Sequence, residues 1–323
     1  MKALVYTDVE ELTYRDEADA TPRKGEELIK ISFCGICGSD MHAYLGHDER
    51  RPAPLILGHE GAGHIVGGAR DGERVTINPL VTNPDSEFSR QGRTNLCVDR
   101  QIISMMPRPG AFADYVSIPP ENLVIVPDDV PLEKAALAEP IAVSWHAVRL
   151  GLIALHPTAD RSTLIIGGGA IGVAAYLSLL AQGEESPTIV EPNAKRRKYL
   201  EANGFNVIAT AEGAFGIVVD AVGYAATRAT ASALVMPGGV ILHIGLGEDA
   251  SGLDIRRMTL QEITFIGTYT YTAQDFRDTA AAIFDGRLGP LDWTETRALK
   301  DGWQAFQDIR AGEVLSPKIV LQP

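Results

Sequence analysis

Cysteine is scarce in this chain, with three among 323 residues. Cys34 and Cys37 lie close together and Cys97 is the third, so no disulfide scaffold can be built from them. A reducing compartment is the simpler expectation, and we predict a cytoplasmic protein. The N-terminus, MKALVYTDVEEL, carries one early lysine and few apolar residues before its first acids. That pattern indicates a first strand and not a signal peptide.

Positive charge is also in deficit, because 29 Lys and Arg face 42 Asp and Glu and leave a net charge of −13. Such an excess of acids repels phosphate backbones and anionic membranes, so we expect neither nucleic acid nor a membrane as partner. Residues 164–181 carry no charge and are about long enough to span a bilayer. They include three consecutive glycines near their start, which fit a strand, a turn and a buried helix better than a lipid-buried span.

Internal repeats and low-complexity tracts are absent, and the length favours two domains. Up to about residue 147 the chain reads as short strands between Gly and Pro turns: KALVY, ELIKIS, GAGHIVG, ERVTIN, DYVSI and LVIVP. From about 162 the strands TLII, TIVE, NVI, IVVD, VILHIG and TFIGT alternate with helical stretches at 170–182, 194–203 and 227–236. This alternation predicts an α/β fold with a doubly wound parallel sheet. A helix at about 273–285 and a terminal KIVL strand are expected to rejoin the first domain.

A glycine motif follows the apolar run TLII and fits G-x-G-x-x-G between Gly167 and Gly172. Gly167 would permit the tight turn, Gly169 the close approach of a pyrophosphate, and Gly172 the packing of helix on strand. The helix N-terminus would offer N–H groups to the phosphates. Glu191, at the end of TIVE, would bind the adenosine ribose and favour NAD over NADP. The predicted cofactor-binding residues of this motif are Gly167, Gly169, Ala170, Ile171, Gly172 and Glu191.

The segment CGICGSDMHAYLGHDERRPAPLILGHEGAGH, residues 34–64, holds the densest chemistry. The Cys34–Cys37 spacing would suit a zinc knuckle or a redox motif, but neither the second cysteine pair nor a thioredoxin-like βαβ unit is there. Ligands from separate segments suit the residues better. Cys37 would supply a thiolate, His59 an imidazole, and Glu60 or Glu139 a carboxylate. Catalytic zinc takes three protein ligands and keeps one open position.

Four motifs together resemble the zinc-dependent medium-chain dehydrogenase/reductases: CGICGSDMH, LGHEGAGHIVG, LAEPIAVSWHAV and LIIGGGAIG, in this order. The sorbitol, threonine and galactitol-phosphate dehydrogenase branches are the most similar. The resemblance extends from Met1 to the terminal PKIVL and implies a GroES-like β-rich catalytic domain and a Rossmann domain. It places the catalytic domain at 1–147 and 272–323 and the NAD-binding domain at 148–271. It also implies a homodimer or homotetramer, paired through VILHIGL and TFIGTY.

The resemblance gives individual residues a role. Cys37 and His59 would bind zinc, with Glu139 as a further ligand and Glu60 as a ligand or an exchangeable one. Asp40 would hold His59, as outer partners of metal ligands commonly do. Ser39 would hydrogen-bond the substrate hydroxyl, and His42 would end a proton relay through the cofactor ribose to solvent. Two further contacts are implied toward the cofactor, from Val143 behind the nicotinamide and from Arg196 over the adenosine.

The chain departs from the family pattern in one lobe. Many members hold a second, structural zinc with four cysteines, and the matching positions here are Asn83, Ser86, Ser89 and Cys97. Amide and hydroxyl groups are poor zinc ligands. We therefore predict one catalytic zinc per chain and no structural zinc.

The expected reaction transfers a hydride between a secondary alcohol or polyol and NAD, and the expected partner is that small molecule. Two alternatives remain open. One is a zinc-free, NADPH-dependent quinone or enone reductase of the same superfamily. The other is a non-enzymatic nucleotide-binding protein on the same scaffold, because fold alone does not fix function.

Overall fold

The computed structural model describes all residues from 1 to 323. The strands are β1 Lys2–Asp8, β2 Glu11–Asp16, β3 Glu27–Gly35, β4 Leu55–Ile56, β5 Glu60–Val66, β6 Arg74–Ile77, β7 Leu80–Val81, β8 Gln101–Ile102, β9 Tyr115–Ile118, β10 Leu123–Ile125, β11 Thr163–Ile166, β12 Thr188–Val190, β13 Val207–Ile208, β14 Phe215–Asp220, β15 Val235–His243, β16 Thr264–Gly267, β17 Thr294–Ala298 and β18 Lys318–Gln322. The α-helices are α1 Gly38–Tyr44, α2 Glu87–Arg90, α3 Leu132–Ala135, α4 Ala138–Ala154, α5 Ala170–Ala181, α6 Ala194–Ala202, α7 Ala225–Leu234, α8 Ile255–Leu260, α9 Ala273–Phe284 and α10 Gly302–Ala311. The chain forms two compact units, and each of them is built from more than one segment of the sequence.

The first unit contains Met1–Glu139, Thr272–Gly286 and Thr294–Pro323. Its main sheet has seven strands, in the order β10-β6-β5-β3-β18-β17, with β9 also paired to β3. A three-stranded sheet, β2-β1-β4, and the pair β7-β8 complete the unit. These strands and α10 share one apolar core, which includes Leu4, Ile29 and Phe306. The terminal strand β18 lies beside β3 in the main sheet, as the apolar run KIVL predicts.

The second unit contains Pro140–Tyr271 and Arg287–Trp293. Six parallel strands form its sheet in the order β13-β12-β11-β14-β15-β16, and helices connect most of the neighbouring strands. The strand order reverses between β11 and β14, so the carboxyl ends of those strands flank the crevice where such sheets bind ligands. All six strands were predicted from the sequence as buried runs, and the predicted α/β fold with a doubly wound parallel sheet is confirmed.

Residues 164–181 form most of β11, a glycine turn and α5. No helix of the protein is long and apolar enough to cross a membrane. The assignment of residues 1–147 and 272–323 to a catalytic domain, and of residues 148–271 to an NAD-binding domain, stays a prediction. The compact units change over at Glu139, and the short segment Arg287–Trp293 belongs to the second unit.

Candidate active site

Three strands of the first unit bring distant parts of the chain to one place. β3 and β5 are antiparallel, and their register pairs Gly35 with Glu60. The end of β3 therefore lies beside the start of β5, which places Cys37, two residues past β3, close to His59, just before β5. β18 pairs with the other side of β3 and sets Val320 opposite Gly35. Its first residue, Lys318, consequently lies at the same end of the sheet.

Cys37, His59 and Glu60 form a group whose ligand atoms all lie within 4.8 Å of one another. Cys37 is half-buried, while His59 and Glu60 are buried. Cys37 also stands at the N-cap position of α1, so the helix fixes its backbone. The thiol, imidazole and carboxylate are the three donor types that bind zinc in proteins. The structure thus brings together three of the four ligand candidates that the sequence indicates.

The carboxylate of Asp40 contacts both Cys37 and His59. Its carboxylate accepts hydrogen bonds from the backbone N–H of Cys37 at 3.0 Å and of Gly58 at 3.2 Å, and Oδ1 lies 3.5 Å from His59 Nδ1. Burial raises the pKa of Asp40, but His59, Arg51 and the Cys37 N–H outweigh it and hold that pKa below its usual value. Asp40 is therefore a fixed negative charge beside His59, in the place expected for it.

Burial by itself lowers the pKa of His59, but the carboxylate of Asp40 and the side chain of Cys37 outweigh burial. They hold the pKa of the imidazole well above its usual value. The cluster therefore attracts a positive charge at the imidazole. A buried group of thiol, imidazole and carboxylate donors with this preference fits a zinc ion by its donor chemistry.

Lys318 is a residue of this site that the sequence analysis did not predict. Its Nζ donates to both carboxylate oxygens of Glu60, at 2.7 and 2.8 Å, and to the carbonyl of Ile36 at 2.9 Å. Burial lowers the pKa of Lys318, while Glu60, Cys37 and Glu139 raise it above its ordinary value. The only sequence signal was a lysine at the start of an apolar strand, a position where a side chain can also simply reach solvent.

The carboxylate of Glu60 fits against Gly35, where a Cβ atom would stand 2.0 Å from Glu60 Oε2. A side chain at position 35 would therefore displace the carboxylate. Glu139, the fourth ligand candidate, is 6% exposed and lies at the end of the first unit. It is not a member of the three-residue group, although its charge acts on Lys318.

The two relay candidates lie on one face of α1, because residues three apart on a helix are neighbours. Ser39 is half-buried in the first turn, and His42 is exposed in the last. The relay assigned to these two side chains stays a prediction. Ser39 is also held through its carbonyl, which accepts a hydrogen bond at 2.8 Å from the buried side chain of Arg51.

The glycine motif lies in the second unit, between β11 and α5. Gly167 has φ +101°, a left-handed conformation that favours glycine. A Cβ on Gly172 would stand 1.8 Å from the carbonyl oxygen of Gly167, so the turn and the helix can pack this closely only with glycine there. Gly169 is the N-cap of α5, followed by Ala170 and Ile171 in its first turn. The N-terminus of α5 therefore begins at the carboxyl edge of the sheet.

Glu191 follows β12 at the same edge and is buried. Its carboxylate accepts the N–H of Gly168 at 3.1 Å and of Asn193 at 2.8 Å, so each oxygen keeps a lone pair for another donor. Arg196 is half-buried in the first turn of α6, and Val143 is half-buried in α4. Glu191 thus lies against the glycine motif, and its binding to the ribose stays a prediction.

Known protein families match both halves of the chain. The alcohol dehydrogenase GroES-like domain matches residues 23–128, and the zinc-binding dehydrogenase domain matches residues 170–285. The chain belongs to the zinc-binding medium-chain dehydrogenase/reductases. The family that the sequence motifs indicate is confirmed.

Curated relatives of this dehydrogenase act on sugar acids and diols. L-galactonate-5-dehydrogenase of Escherichia coli K12 is 28% identical, over 89% of this chain and 88% of that protein. (R,R)-butanediol dehydrogenase of Saccharomyces cerevisiae is also 28% identical, over 92% of this chain and 91% of its own.

Two solved structures share the fold of the dehydrogenase over its whole length. An alcohol dehydrogenase of Escherichia coli CFT073, in complex with NADH, superposes with a TM-score of 0.89 at 22% identity, covering 100% of this chain and 99% of that one. A zinc-binding dehydrogenase of Sinorhizobium meliloti 1021, bound to NADP, gives a TM-score of 0.85 at 23% identity over the same shares. The predicted pairing of a GroES-like domain with a Rossmann domain is thereby confirmed.

The lobe of the dehydrogenase at residues 83–97 folds around Cys97, which is fully buried. Ser86 caps α2 by accepting the N–H of Ser89 at 3.1 Å, and the two hydroxyl oxygens lie 2.8 Å apart. Burial raises the pKa of the Cys97 thiol, but hydrogen bonds from Ser86, the Asn83 and Asp99 backbone and Ser89 bring it below its usual value. Asn83, Ser86 and Ser89 thus all lie against the sulfur of Cys97.

Proposed function

We propose that the protein is a zinc-dependent dehydrogenase that transfers a hydride between a secondary alcohol or polyol and NAD. One observation carries this proposal: Cys37, His59 and Glu60 converge within 4.8 Å in a member of the zinc-binding dehydrogenase family. The named relatives act on galactonate and butanediol, which supports a small polyhydroxylated or diol substrate.

For the metal, we propose Cys37, His59 and Glu139 as the resting protein ligands, with Glu60 as an exchangeable fourth. Both oxygens of Glu60 accept hydrogen bonds from Lys318, which supports a role for Glu60 as a carboxylate that exchanges between the lysine and the metal. Lys318 also adds one positive charge beside a thiolate and two carboxylates. With it, a divalent cation leaves the site formally neutral, and neither carboxylate needs to leave for reasons of charge alone.

When bound, zinc lowers the pKa of an alcohol hydroxyl, and NAD accepts the hydride. The side chains of the protein manage the proton and the charge. Ser39 would accept the proton of the substrate hydroxyl while it gives up its own, and that proton would pass by way of the cofactor ribose to His42, which is exposed and can release a proton to solvent. Asp40 orients the imidazole of His59, and Lys318 binds the carboxylate of Glu60 while that carboxylate is not a metal ligand.

For the cofactor, we propose that the dinucleotide lies along the carboxyl edge of the parallel sheet. Its pyrophosphate would meet the N-terminus of α5 at Gly169, and its adenosine ribose would meet Glu191, with Arg196 beside the adenosine and Val143 behind the nicotinamide. Glu191 would repel a 2′-phosphate. NAD should therefore be preferred over NADP by at least about tenfold in kcat/KM, about 1.4 kcal/mol. Glu191→Ala should narrow that gap, and a wild-type preference for NADP would contradict the role of Glu191.

We further propose a homodimer or homotetramer in the cytoplasm. β16 is the last strand of the six-stranded sheet and pairs only with β15, so its other edge can pair with a second copy. All three cysteines are free, which supports a reducing compartment. Light scattering on purified protein measures the assembly.

A panel of polyols, sugar phosphates and amino alcohols, assayed for NADH formation together with zinc analysis, tests the function. We expect turnover of a secondary alcohol and one zinc per chain. Turnover without any zinc after zinc-replete preparation would favour a quinone- or enone-reductase type enzyme. Two tightly held zinc ions per chain would contradict our reading of the lobe at residues 83–97.

A further inference from the structure

Ser104 has a backbone conformation that serine rarely adopts. It follows β8, is fully buried, and has φ +72°, in the left-handed region. A side chain in that region is strained unless the surroundings hold it there, and such outliers tend to occur where function needs them. Glycine would adopt the same conformation without strain. We therefore expect the side chain of Ser104 to make an interaction that glycine could not make.

A buried arginine holds this strained loop. Arg51 is 3% exposed, and its Nε donates to the carbonyl of Ser104 at 3.1 Å. Its Nη1 donates to the carbonyl of Ser39 at 2.8 Å, and a carboxylate oxygen of Asp48 lies 3.5 Å away. One guanidinium thus ties the loop of Ser104 to the first turn of α1, which carries the relay serine.

The hydroxyl of Ser104 meets the imidazole of the metal cluster. Ser104 Oγ lies 3.2 Å from His59 Nδ1, closer than Asp40 Oδ1 at 3.5 Å. His59 is 6% exposed, so water cannot readily replace this partner. When Nδ1 carries the proton and donates it to these oxygens, Nε2 is left as the nitrogen with a free lone pair. The tautomer of a histidine ligand is set in this way by the bond that its other nitrogen makes.

We propose that Ser104 is a positioning residue for the metal ligand His59: its hydroxyl accepts the Nδ1 proton together with Asp40, at the expense of a strained backbone. The inference rests on the proposed metal site and adds a second orienting partner to it. It explains why a serine occupies a position where glycine would fold more easily. It also predicts that metal affinity and metal-free stability change in opposite directions when the serine is replaced by glycine.

Two substitutions at position 104 separate the effect of the hydroxyl group from the effect of the backbone strain. Ser104→Ala removes the hydroxyl and keeps the strain, while Ser104→Gly removes both. Outer partners of metal ligands typically contribute 10- to 100-fold to affinity. We therefore expect both variants to lose about 10- to 100-fold in Zn²⁺ affinity, measured by competition with a chelator. The d–d absorption of the Co²⁺-loaded protein should change in both, because the imidazole loses an orienting bond. The metal-free Tm should rise in Ser104→Gly alone.

Ser251 is a matched control in the second unit. It has φ +75°, and its carbonyl also accepts from the Nε of a buried arginine, Arg228. Ser251→Gly should raise the metal-free Tm in the same direction and leave Zn²⁺ affinity and the Co²⁺ spectrum unchanged. Wild-type Zn²⁺ affinity in both Ser104 variants would overturn the inference while leaving the metal site intact. A wild-type protein that takes up no zinc would overturn the proposed function and the inference together.

Discussion

Two cysteine-centred clusters occur in the first unit, and they differ in what surrounds the sulfur. Around Cys37 stand His59 and Glu60, which can give lone pairs to a cation. Around Cys97 stand the hydroxyls of Ser86 and Ser89 and the backbone of Asn83 and Asp99, whose hydrogen bonds lower the pKa of the thiol. The first sulfur has other potential metal ligands beside it, whereas the second has hydrogen-bond partners. A metal is therefore expected at Cys37 and not at Cys97.

The lobe at residues 83–97 is organised by hydrogen bonds: Ser86 accepts the N–H of Ser89, and both serines, with the backbone of Asn83 and Asp99, lower the pKa of Cys97. Hydrogen bonds to a thiolate are charge-assisted and stronger than neutral ones. We therefore predict that the lobe is held together without an ion.

The largest effect should come from removing the sulfur at each cluster in turn. Cys37→Ala should lose its zinc and its dehydrogenase activity together, since catalytic zinc depends on its three protein ligands. Cys97→Ala should retain one zinc per chain and near-normal kcat, because no metal is expected there. Zinc content by mass spectrometry and NADH formation measure both. Loss of zinc from Cys97→Ala would mean that the two clusters are not chemically different.

The next largest effect is expected at Lys318, whose ammonium group is bound to Glu60 in the Cys37 cluster. No such ammonium group is among the partners of Cys97. Lys318→Met should lower the free energy of unfolding of the metal-free protein by about 3–5 kcal/mol, because removing one partner leaves the carboxylate of Glu60 buried and unpaired. The double variant with Glu60→Gln should recover much of that loss. Urea unfolding measures both. A single variant within about 1 kcal/mol of wild type would show that Glu60 has another compensating partner.

A smaller effect is expected along the relay. Ser39→Ala should lose about a hundredfold in kcat while it keeps zinc and NADH affinity, because positioned proton-transfer groups contribute about 10²- to 10⁴-fold. His42→Ala should lose less, since water reaches this exposed position, and imidazole in the buffer should restore activity. Steady-state kinetics and NADH titration separate the steps. A near-normal kcat in zinc-loaded Ser39→Ala would make the hydroxyl structural, and Glu60 would become the first alternative for the proton.

The second unit was more predictable from the sequence than the first. Its central strands β11 and β14 are largely buried and form continuous apolar runs. The three helices α5, α6 and α7 were predicted within about two residues of their observed limits, while the short helix α8 was not predicted. The helix α4 was missed, because an apolar helix that is buried nearly all round has no polar face to show a helical period. Short strands such as β4 and β7, of two residues each, carry too little pattern to be found.

The candidate site shows a similar limit. Cys37, His59 and Asp40 were found because they lie in compact motifs near one another in the sequence. Lys318 and Ser104 act on the same cluster from segments far along the chain. Only the pairing of β18 with β3 shows that Lys318 reaches Glu60. Only the φ angle of Ser104 shows that its position is unusual. Long-range register and backbone strain leave no local mark in a sequence.

The smallest effect is expected in the pH dependence of stability at Cys97. It tests whether hydrogen bonds alone hold this side chain as a thiolate. Its pKa is lowered in the folded protein relative to the unfolded chain. The thiolate therefore adds stability that is complete above the unfolded pKa, about 8.5, and is lost as pH falls through the folded pKa. The difference in unfolding free energy between wild type and Cys97→Ala should thus grow as pH rises toward about 9, by about 1.4 kcal/mol for each unit of lowering. Cys97→Ser, which does not titrate in this range, should show no such rise. A difference that stays constant with pH would mean that the sulfur remains a neutral thiol, and that the contrast with Cys37 rests on packing and not on charge.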